Sequence, residues 1–270
     1  MLQRIFEALR LAPEAVYAVV FDMVKEDPEH MARYARHSVR EACFTTSRAN
    51  RLSSVALSHW LSDFGSQAEV VSLPLALDTE GVGSPAYLHA LGAICAAAKP
   101  RQIVEFGTFL GFGTATMALN CSAQVLTIDL PDASEGRDIK TLNDADSTLV
   151  DRSRRRVGYY YNGKPFATRI SELRCDSREL DLREHISSAD LCLIDGGHSY
   201  DCIAADTNNA LRILAENGII VWDDYFWLYP DVVRYLNQLS VTLKPLVKIK
   251  GTSLVAFRKR GPVSGIPRVT

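Results

Sequence analysis

The sequence lacks any large excess of charge and any long apolar run, and each absence argues against a class of protein. Its 270 residues carry a formal net charge of -2, which gives no electrostatic reason to expect non-specific binding to nucleic acid or to a membrane surface. No uninterrupted apolar run approaches the roughly 18 residues that a membrane span requires. We therefore expect a protein whose partner is a small molecule.

The amino-terminal stretch lacks the uncharged core of a secretory signal. Residues 1–20 are rich in apolar side chains, but charged ones interrupt them at helical intervals, at Arg4, Glu7, Arg10 and Glu14. A signal peptide needs an apolar segment of roughly 7–15 residues without such breaks. We therefore expect a cytoplasmic protein.

The sequence also lacks a C-x-x-C pair, the spacing typical of zinc sites and dithiol redox sites. Its six cysteines are scattered, at Cys43, Cys95, Cys121, Cys175, Cys192 and Cys202. We interpret them as reduced side chains, and Cys192, inside an apolar run, as a small buried hydrophobe. With 47% hydrophobic and 23% charged residues, the composition is ordinary for a globular protein, and the length suits one large α/β domain with a modest extension.

From residue 85 onward, the sequence alternates between helix and strand patterns. The predicted helices cover 85–98, 111–120, 199–216 and 231–239, and the predicted strands cover 102–106, 124–129, 171–175, 190–195, 218–222, 243–249 and 253–258. Apolar strands separated by helices indicate a parallel sheet covered on both faces. The last two strands, joined by residues 250–252, indicate a hairpin. The predicted fold class is α/β: a doubly wound, mostly parallel seven-stranded sheet with an antiparallel C-terminal hairpin.

A helical extension is predicted before this sheet. Apolar residues recur at a helical period over residues 1–70, for example at Ile5, Phe6 and Leu9. Turn formers fill residues 78–84, and the proline that follows suits the first turn of a helix. We therefore predict an N-terminal helical extension over 1–82 and a main domain over 83–270. The apolar helices of the extension raise the hypothesis of a homo-oligomer.

A glycine-rich turn follows the first of the predicted strands. Its spacing is G-x-x-x-G-x-G, at Gly107, Gly111 and Gly113, which allows a tight turn and a close approach of the backbone to a ligand. A nicotinamide-binding fingerprint has the reverse order, G-x-G-x-x-G, and Thr116 stands where its last glycine would be. A purely structural turn is the alternative.

The second strand ends in an acid, Asp129, 22 positions after Gly107. Ligands bind beyond the carboxyl ends of parallel strands, where a carboxylate can accept hydrogen bonds from both ribose hydroxyls of an adenosine cofactor. Together, the glycine turn and this acid resemble the class I S-adenosylmethionine-dependent methyltransferases, whose sheet is Rossmann-like. The resemblance covers roughly residues 83–259.

That resemblance implies a cofactor site. Glu105 and residues 107–113 would cradle the methionine half of the cofactor, Thr114 would reach its carboxylate, and Asp129 would hold the ribose. The pair at 176–177 would lie near the adenine. The alternatives are that the aspartate of this pair caps a turn and that Thr114 only lines its helix. The implied cofactor-binding residues are Glu105, Gly107, Thr108, Phe109, Gly111, Gly113, Thr114, Asp129, Leu130, Asp176, Ser177 and Asp195.

Three further carboxylates are expected at the same edge of the sheet. Asp195 ends one predicted strand, and Asp223 and Asp224 follow its neighbour. Carboxylates that converge repel one another and raise each other's pKa unless a cation intervenes. Oxygen-only ligands favour a hard ion such as Mg²⁺. The alternative is that one or two of these acids cap helices or face water.

The sequence from Asp195 reads D-G-G-H-S-Y. With the later acidic pair, it resembles the metal-dependent O-methyltransferases, both the catechol type and those that methylate sugar hydroxyls of macrolide antibiotics. The resemblance implies that Asp195, Asp223 and Asp224 bind the metal, that His198 is the general base, and that Asp195 takes part in catalysis. The catechol type has a lysine base and an Asp-Asn pair, from which this sequence departs. The alternative for His198 is a loop residue bound to backbone.

The activity that these resemblances imply is Mg²⁺-dependent transfer of a methyl group from S-adenosylmethionine to a hydroxyl of a small molecule, such as a sugar or a polyketide. Transfer to nitrogen and metal-independent transfer are the nearest alternatives. A nicotinamide-dependent oxidoreductase is disfavoured by the order of the glycines. A non-catalytic cofactor-binding protein would need no metal-binding acids.

A polar insertion, residues 131–168, interrupts the alternating pattern. It carries four arginines at 152 and 154–156 and then Tyr159, Tyr160 and Tyr161. A loop of this length inside a compact domain is usually functional or mobile. The tyrosines would either wall an acceptor pocket or pack a helix against the extension, and the arginines would form either a solvated helix face or an anion site.

Overall fold

The computed structural model describes residues 51–65, 71–74, 84–131, 157–182 and 188–261. The chain divides into two compact units, 1–50 and 51–270, and the described residues all belong to the second. The predicted domain boundary near residue 82, most of the helical extension and the arginines of the insertion lie outside the described residues.

One mixed sheet forms the centre of the second unit. Its strands are β1 (Ser53–Val55), β2 (Gln102–Phe106), β3 (Gln124–Asp129), β4 (Ile170–Arg174), β5 (Ala189–Ile194), β6 (Leu214–Trp222), β7 (Val247–Ile249) and β8 (Val255–Arg258). They lie in the order β1-β7-β8-β6-β5-β2-β3-β4. Only β8 pairs antiparallel with its neighbours, β6 and β7. The predicted α/β class, the mostly parallel sheet and the C-terminal hairpin are confirmed.

The sheet has eight strands, so the predicted number of seven is wrong. The additional strand is β1, which lies where the sequence pattern predicted helix. It pairs parallel with β7, Ser53 with Val247 and Val55 with Ile249. Because β1 is only three residues long and mostly exposed, it leaves no periodic signal, and pairing with the edge of the sheet decides its conformation.

Five α-helices accompany the strands in the described residues. They are α1 (Leu57–Ser62), α2 (Pro85–Ala98), α3 (Phe112–Asn120), α4 (Tyr200–Ile213) and α5 (Pro230–Thr242). Local capping fixes where two of them begin. The Ser84 side chain accepts a hydrogen bond from the Tyr87 amide, and the Ser199 side chain accepts one from the Cys202 amide, each satisfying an amide that the helix itself leaves unpaired.

The predicted elements lie within a few residues of the observed ones, but two of them differ in extent. The strand predicted over 243–249 covers only Val247–Ile249, and the helix predicted over 199–216 ends early. Residues 214–216 were predicted to continue helix α4, but they begin strand β6 instead. Leu214 pairs with Ala189 of β5 ahead of an irregularity in the register. Pairing with β5 therefore overrides the local helical pattern.

The central strands are buried on both faces, as their apolar sequences predicted. Ile103, Val104, Leu191, Cys192 and Leu193 are each fully buried, so the interpretation of Cys192 as an interior side chain is correct. Among the described helices, none is both long and apolar enough to cross a membrane. The buried centre fixes the carboxyl ends of β2, β3, β5 and β6, and the candidate site lies at that edge.

Candidate active site

The glycine turn begins where β2 ends and touches the strand end beside it. Gly107 has a φ of 91°, which only glycine adopts readily. A β-carbon added there would lie 2.1 Å from the carbonyl oxygen of Asp195. Any other residue would therefore collide with the end of β5, and glycine at this position lets the turn and the first acid of the cluster lie in contact.

The rest of the turn is held from outside by the end of the insertion. Gly111 also has a positive φ, 79°, and an added β-carbon would lie 2.6 Å from the Tyr161 ring. The Tyr160 amide donates to the Leu110 carbonyl at 3.0 Å, and its ring packs edge-on against Phe112, with centroids 4.3 Å apart. The described part of the insertion thus packs directly on the glycine turn, an arrangement that neither sequence-based alternative contained.

Asp129, at the end of β3, accepts hydrogen bonds from the turn. Its Oδ2 accepts from the amides of Thr108 and Phe109, at 3.1 and 2.8 Å, and its Oδ1 accepts from the Leu130 amide at 2.7 Å. Burial raises the pKa of Asp129, and the three amide donors oppose that shift. The acid and the glycine turn that the sequence paired are therefore in direct contact.

Glu105, predicted to cradle the cofactor, lies beneath the turn and is almost fully buried. Its Oε2 accepts from Thr114 at 2.5 Å and from Thr127 at 2.6 Å. Burial raises the pKa of Glu105 to about 7, although the two hydroxyl donors oppose the shift. Since Thr114 is itself fully buried, the structure places both side chains in an internal network, not at the surface of the turn.

The pair at 176–177 follows strand β4. The Asp176 carboxylate accepts from the Arg178 amide at 3.0 Å and caps the short helical turn Ser177–Glu179. It also forms an ion pair with the Arg178 guanidinium. The Ser177 carbonyl accepts from the Asn209 side chain at 2.8 Å. The capping geometry that the sequence left open is therefore present.

Three acids converge beside the glycine turn. Asp195, Asp223 and Asp224 each offer a carboxylate oxygen, and these oxygens lie within 4.8 Å of one another. The sheet brings them together, since β5 and β6 are parallel neighbours with Ile194 opposite Trp222, and the Asp223 amide donates to the Ile194 carbonyl at 3.0 Å. The convergence expected from the sequence is observed.

This convergence is electrostatically unfavourable without a cation. Desolvation and, after it, the charge of Asp224 together raise the pKa of Asp223 to about 7. Desolvation also raises the pKa of Asp195, as do the charges of its two acidic neighbours. Three oxygen donors this close fit a hard divalent cation such as Mg²⁺ in number and in chemistry.

Each acid of the cluster is bound by one side chain from elsewhere in the chain. Tyr87 donates to Oδ2 of Asp195 at 2.9 Å, Ser253 donates to Oδ1 of Asp223, and Nε2 of His198 lies 2.6 Å from Oδ2 of Asp224. Only His198 among these three was a sequence candidate. Tyr87 belongs to α2 and Ser253 to the turn before β8, and neither lies in a recognisable motif.

His198 is held from a second direction as well. Its ring stacks on Tyr229, with centroids 3.9 Å apart and planes 12° from parallel, and only 10% of its side chain is exposed. The predicted base therefore lies at the acid cluster in a fixed orientation.

One internal segment of the chain matches a known family model. Residues 104–225 match the family model described as a methyltransferase domain, and this segment contains the glycine turn and all three acids. This match agrees with the methyltransferase class that the sequence motifs indicated.

Solved structures resemble the chain in fold. The S-adenosylhomocysteine-bound methyltransferase PaMTH1 of Podospora anserina is 15% identical and has a TM-score of 0.50, with 87% of this chain and 97% of that chain covered. The O-methyltransferase of Bacillus cereus, in complex with the same ligand, is 16% identical, with a TM-score of 0.45 and 82% and 97% covered. No curated protein matches the sequence. At 15% identity, the likeness to PaMTH1 shows the fold alone.

Proposed function

We propose that this protein transfers a methyl group from S-adenosylmethionine to a hydroxyl of a small molecule, with a divalent cation, most simply Mg²⁺, bound by Asp195, Asp223 and Asp224. The observation that carries the proposal is the contact between the two halves of the site. Gly107 approaches the backbone of Asp195 so closely that no β-carbon fits between them. A cofactor on the turn and a cation at the acids would therefore be neighbours.

The chain's own residues shape the cofactor half. Positive φ angles at Gly107 and Gly111 fold the backbone into a tight turn before α3, and Asp129 fixes two amides of that turn. We propose that the cofactor lies on the outer surface of this turn, with its ribose near Asp129. Glu105 and Thr114, being buried, support the turn from below.

The acid cluster supports a hydroxyl as the acceptor. A neutral amine is already a nucleophile, whereas an alcohol must lose its proton before or during attack. A divalent cation at three carboxylates would lower the pKa of an adjacent hydroxyl. An acid cluster beside the methyl donor is therefore best explained by an oxygen acceptor, and this favours O-methylation over N-methylation.

His198 is the proposed acceptor of that proton. An imidazole has an ordinary pKa near 6.5, which suits proton transfer near neutral pH. Asp224 and Tyr229 fix its ring from two directions. The ring nitrogen that takes the proton of the acceptor hydroxyl would therefore have a fixed position. Holding the reactants and the base in one geometry can lower the free-energy barrier by up to about 7–11 kcal/mol.

Transfer of a labelled methyl group tests the proposal. The full chain would be incubated with methyl-labelled S-adenosylmethionine and a panel of hydroxylated sugars, polyketides and phenols together with their amino analogues, with Mg²⁺ or with excess chelator. We expect label in an ether product only when Mg²⁺ is present. Full turnover in chelator would contradict the metal role, and label on nitrogen would contradict the hydroxyl acceptor.

A further inference from the structure

A tyrosine outside both motifs lies between the two halves of the site. Tyr87, on helix α2, is 3% exposed, and its hydroxyl donates to Oδ2 of Asp195 at 2.9 Å. A β-carbon added to Gly113, on the cofactor side, would lie 3.3 Å from the same hydroxyl. The phenol hydroxyl therefore binds a candidate metal ligand and lies beside the glycine turn.

The helix that carries Tyr87 holds the phenol in place. The Tyr87 amide is bound by the capping serine, Ser84, at 3.2 Å, which fixes the first turn of α2. Further along the helix, Leu91 and Ile94 are fully buried in the core. Since both the backbone and the ring are enclosed, the hydroxyl has little freedom to move away from Asp195.

The chemical nature of the donor decides whether the Asp195 carboxylate can still bind a cation. A lysine or arginine at this place would neutralise the carboxylate and compete with a cation for it. A phenol donates one hydrogen bond and leaves the negative charge in place. The hydrogen bond from Tyr87 uses one acceptor position of Oδ2, so Asp195 keeps lone pairs with which it could bind an ion.

We propose that Tyr87 is a positioning residue for the divalent cation: its hydroxyl orients Asp195 toward the ion and fixes the distance between the acid cluster and the glycine turn. This inference rests on the proposed metal-dependent function. Partners that orient the ligands of a metal site typically contribute about 10–100-fold to metal affinity. Tyr87 would act through Asp195 and would not itself touch the ion.

Titration with Mn²⁺ tests the role of Tyr87 without relying on activity. Free Mn²⁺ would be followed by electron paramagnetic resonance with wild type, Tyr87→Phe and Tyr161→Phe. Tyr161 is the matched control, because its hydroxyl also donates to a carboxylate, that of Glu172, away from the acid cluster. We expect Tyr87→Phe to bind Mn²⁺ at least about 10-fold more weakly than wild type, and Tyr161→Phe to bind it like wild type.

Binding of S-adenosylhomocysteine without metal and circular dichroism would report whether each variant is folded. Equal Mn²⁺ affinity in wild type and Tyr87→Phe would overturn the role of Tyr87 and leave the proposed function standing. A wild type that binds no Mn²⁺ would overturn both. An unfolded Tyr87→Phe variant, or an equal loss in Tyr161→Phe, would assign the hydroxyl to the stability of the fold and also overturn the inference.

Discussion

The two halves of the site differ in how their acids are satisfied. In the cofactor half, Glu105 accepts from two hydroxyls and Asp129 accepts from three backbone amides. In the proposed metal half, the three acids of the cluster each have an oxygen within 4.8 Å of the others. Among the described residues, one side chain from outside the cluster binds each of them. The carboxylates of the cofactor half are satisfied by hydrogen bonds within the protein. The three acids of the cluster place like charges close together.

This difference indicates that the protein alone forms the cofactor half, whereas the acid cluster would need a cation to offset its charge. Hydrogen bonds within the protein make the glycine turn a preformed surface. The acid cluster instead keeps a repulsion that a cation would relieve. Substitutions in the metal half should therefore act on turnover and metal affinity, and substitutions in the cofactor half should act on cofactor affinity and stability.

The largest expected effect comes from removing an acid of the cluster. Asp195→Ala should lower metal-dependent turnover about 1,000-fold or more, since a cation contributes several kcal/mol of charge stabilisation. Affinity for S-adenosylhomocysteine, measured by calorimetry, should stay near that of wild type. Asp190→Ala is the matched control, because Asp190 lies at the opposite end of β5 and accepts from the Arg101 and Gln102 amides. A similar loss in both variants would refute a local role.

The next largest effect is expected at the proposed base. His198→Ala should lower the turnover number about 100-fold or more, because a positioned base contributes at least that much, while cofactor affinity is preserved. His89→Ala is the control, since His89 is an exposed residue of α2. Unchanged turnover in the His198 variant, in steady-state assays, would contradict the base role.

A smaller effect is expected at the acid of the cofactor half. Asp129→Ala leaves the amides of Thr108 and Phe109 without their acceptor, so the turn loses its fixed shape. Affinity for S-adenosylhomocysteine should fall about 10-fold, equivalent to roughly 1.4 kcal/mol, with Mn²⁺ affinity unchanged. Asp129→Asn keeps an acceptor oxygen and should recover part of the loss. A larger loss of affinity for Mn²⁺ than for S-adenosylhomocysteine would contradict the assignment of Asp129 to the cofactor half.

The smallest expected effect is a pH dependence of stability at Glu105. Its pKa is raised to about 7 in the folded protein, so the folded state binds more protons than the unfolded chain does at mildly acidic pH. This contribution to stability is complete below the pKa of the unfolded chain and is lost as the pH rises through about 7. The melting temperature should therefore fall between mildly acidic and mildly alkaline pH. Glu105→Gln should make that fall smaller by a few degrees, and an identical pH profile in both proteins would contradict the shift.

The sequence predicted those features that leave a local pattern. Buried parallel strands leave continuous apolar runs, as in β5, and the acids lie directly after such runs. No local pattern marked strand β1 or the two residues that bind acids of the cluster, Tyr87 and Ser253. Tyr87 reaches Asp195 across 108 positions, and Ser253 reaches Asp223 across 30, so only the folded sheet brings them together.

The sequence left the orientation of Thr114 open between the cofactor and the interior of the protein. A threonine that begins a helix after a glycine turn has the same local pattern whether it faces a ligand or the core. The acceptor that decides its orientation is Glu105, on the strand before the turn. The sequence alone cannot distinguish a contact with the cofactor carboxylate from a contact with Glu105. Only the folded structure does so.

In the proposed site, a divalent cation at the acid cluster adjoins a cofactor on the glycine turn. Anomalous diffraction from a crystal grown with Mn²⁺ and S-adenosylhomocysteine tests it directly. The predicted result is one Mn²⁺ peak bounded by Asp195, Asp223 and Asp224, beside a ligand lying along residues 107–113. A ligand on the turn with no Mn²⁺ at the three acids, or a Mn²⁺ peak elsewhere in the molecule, would contradict the account.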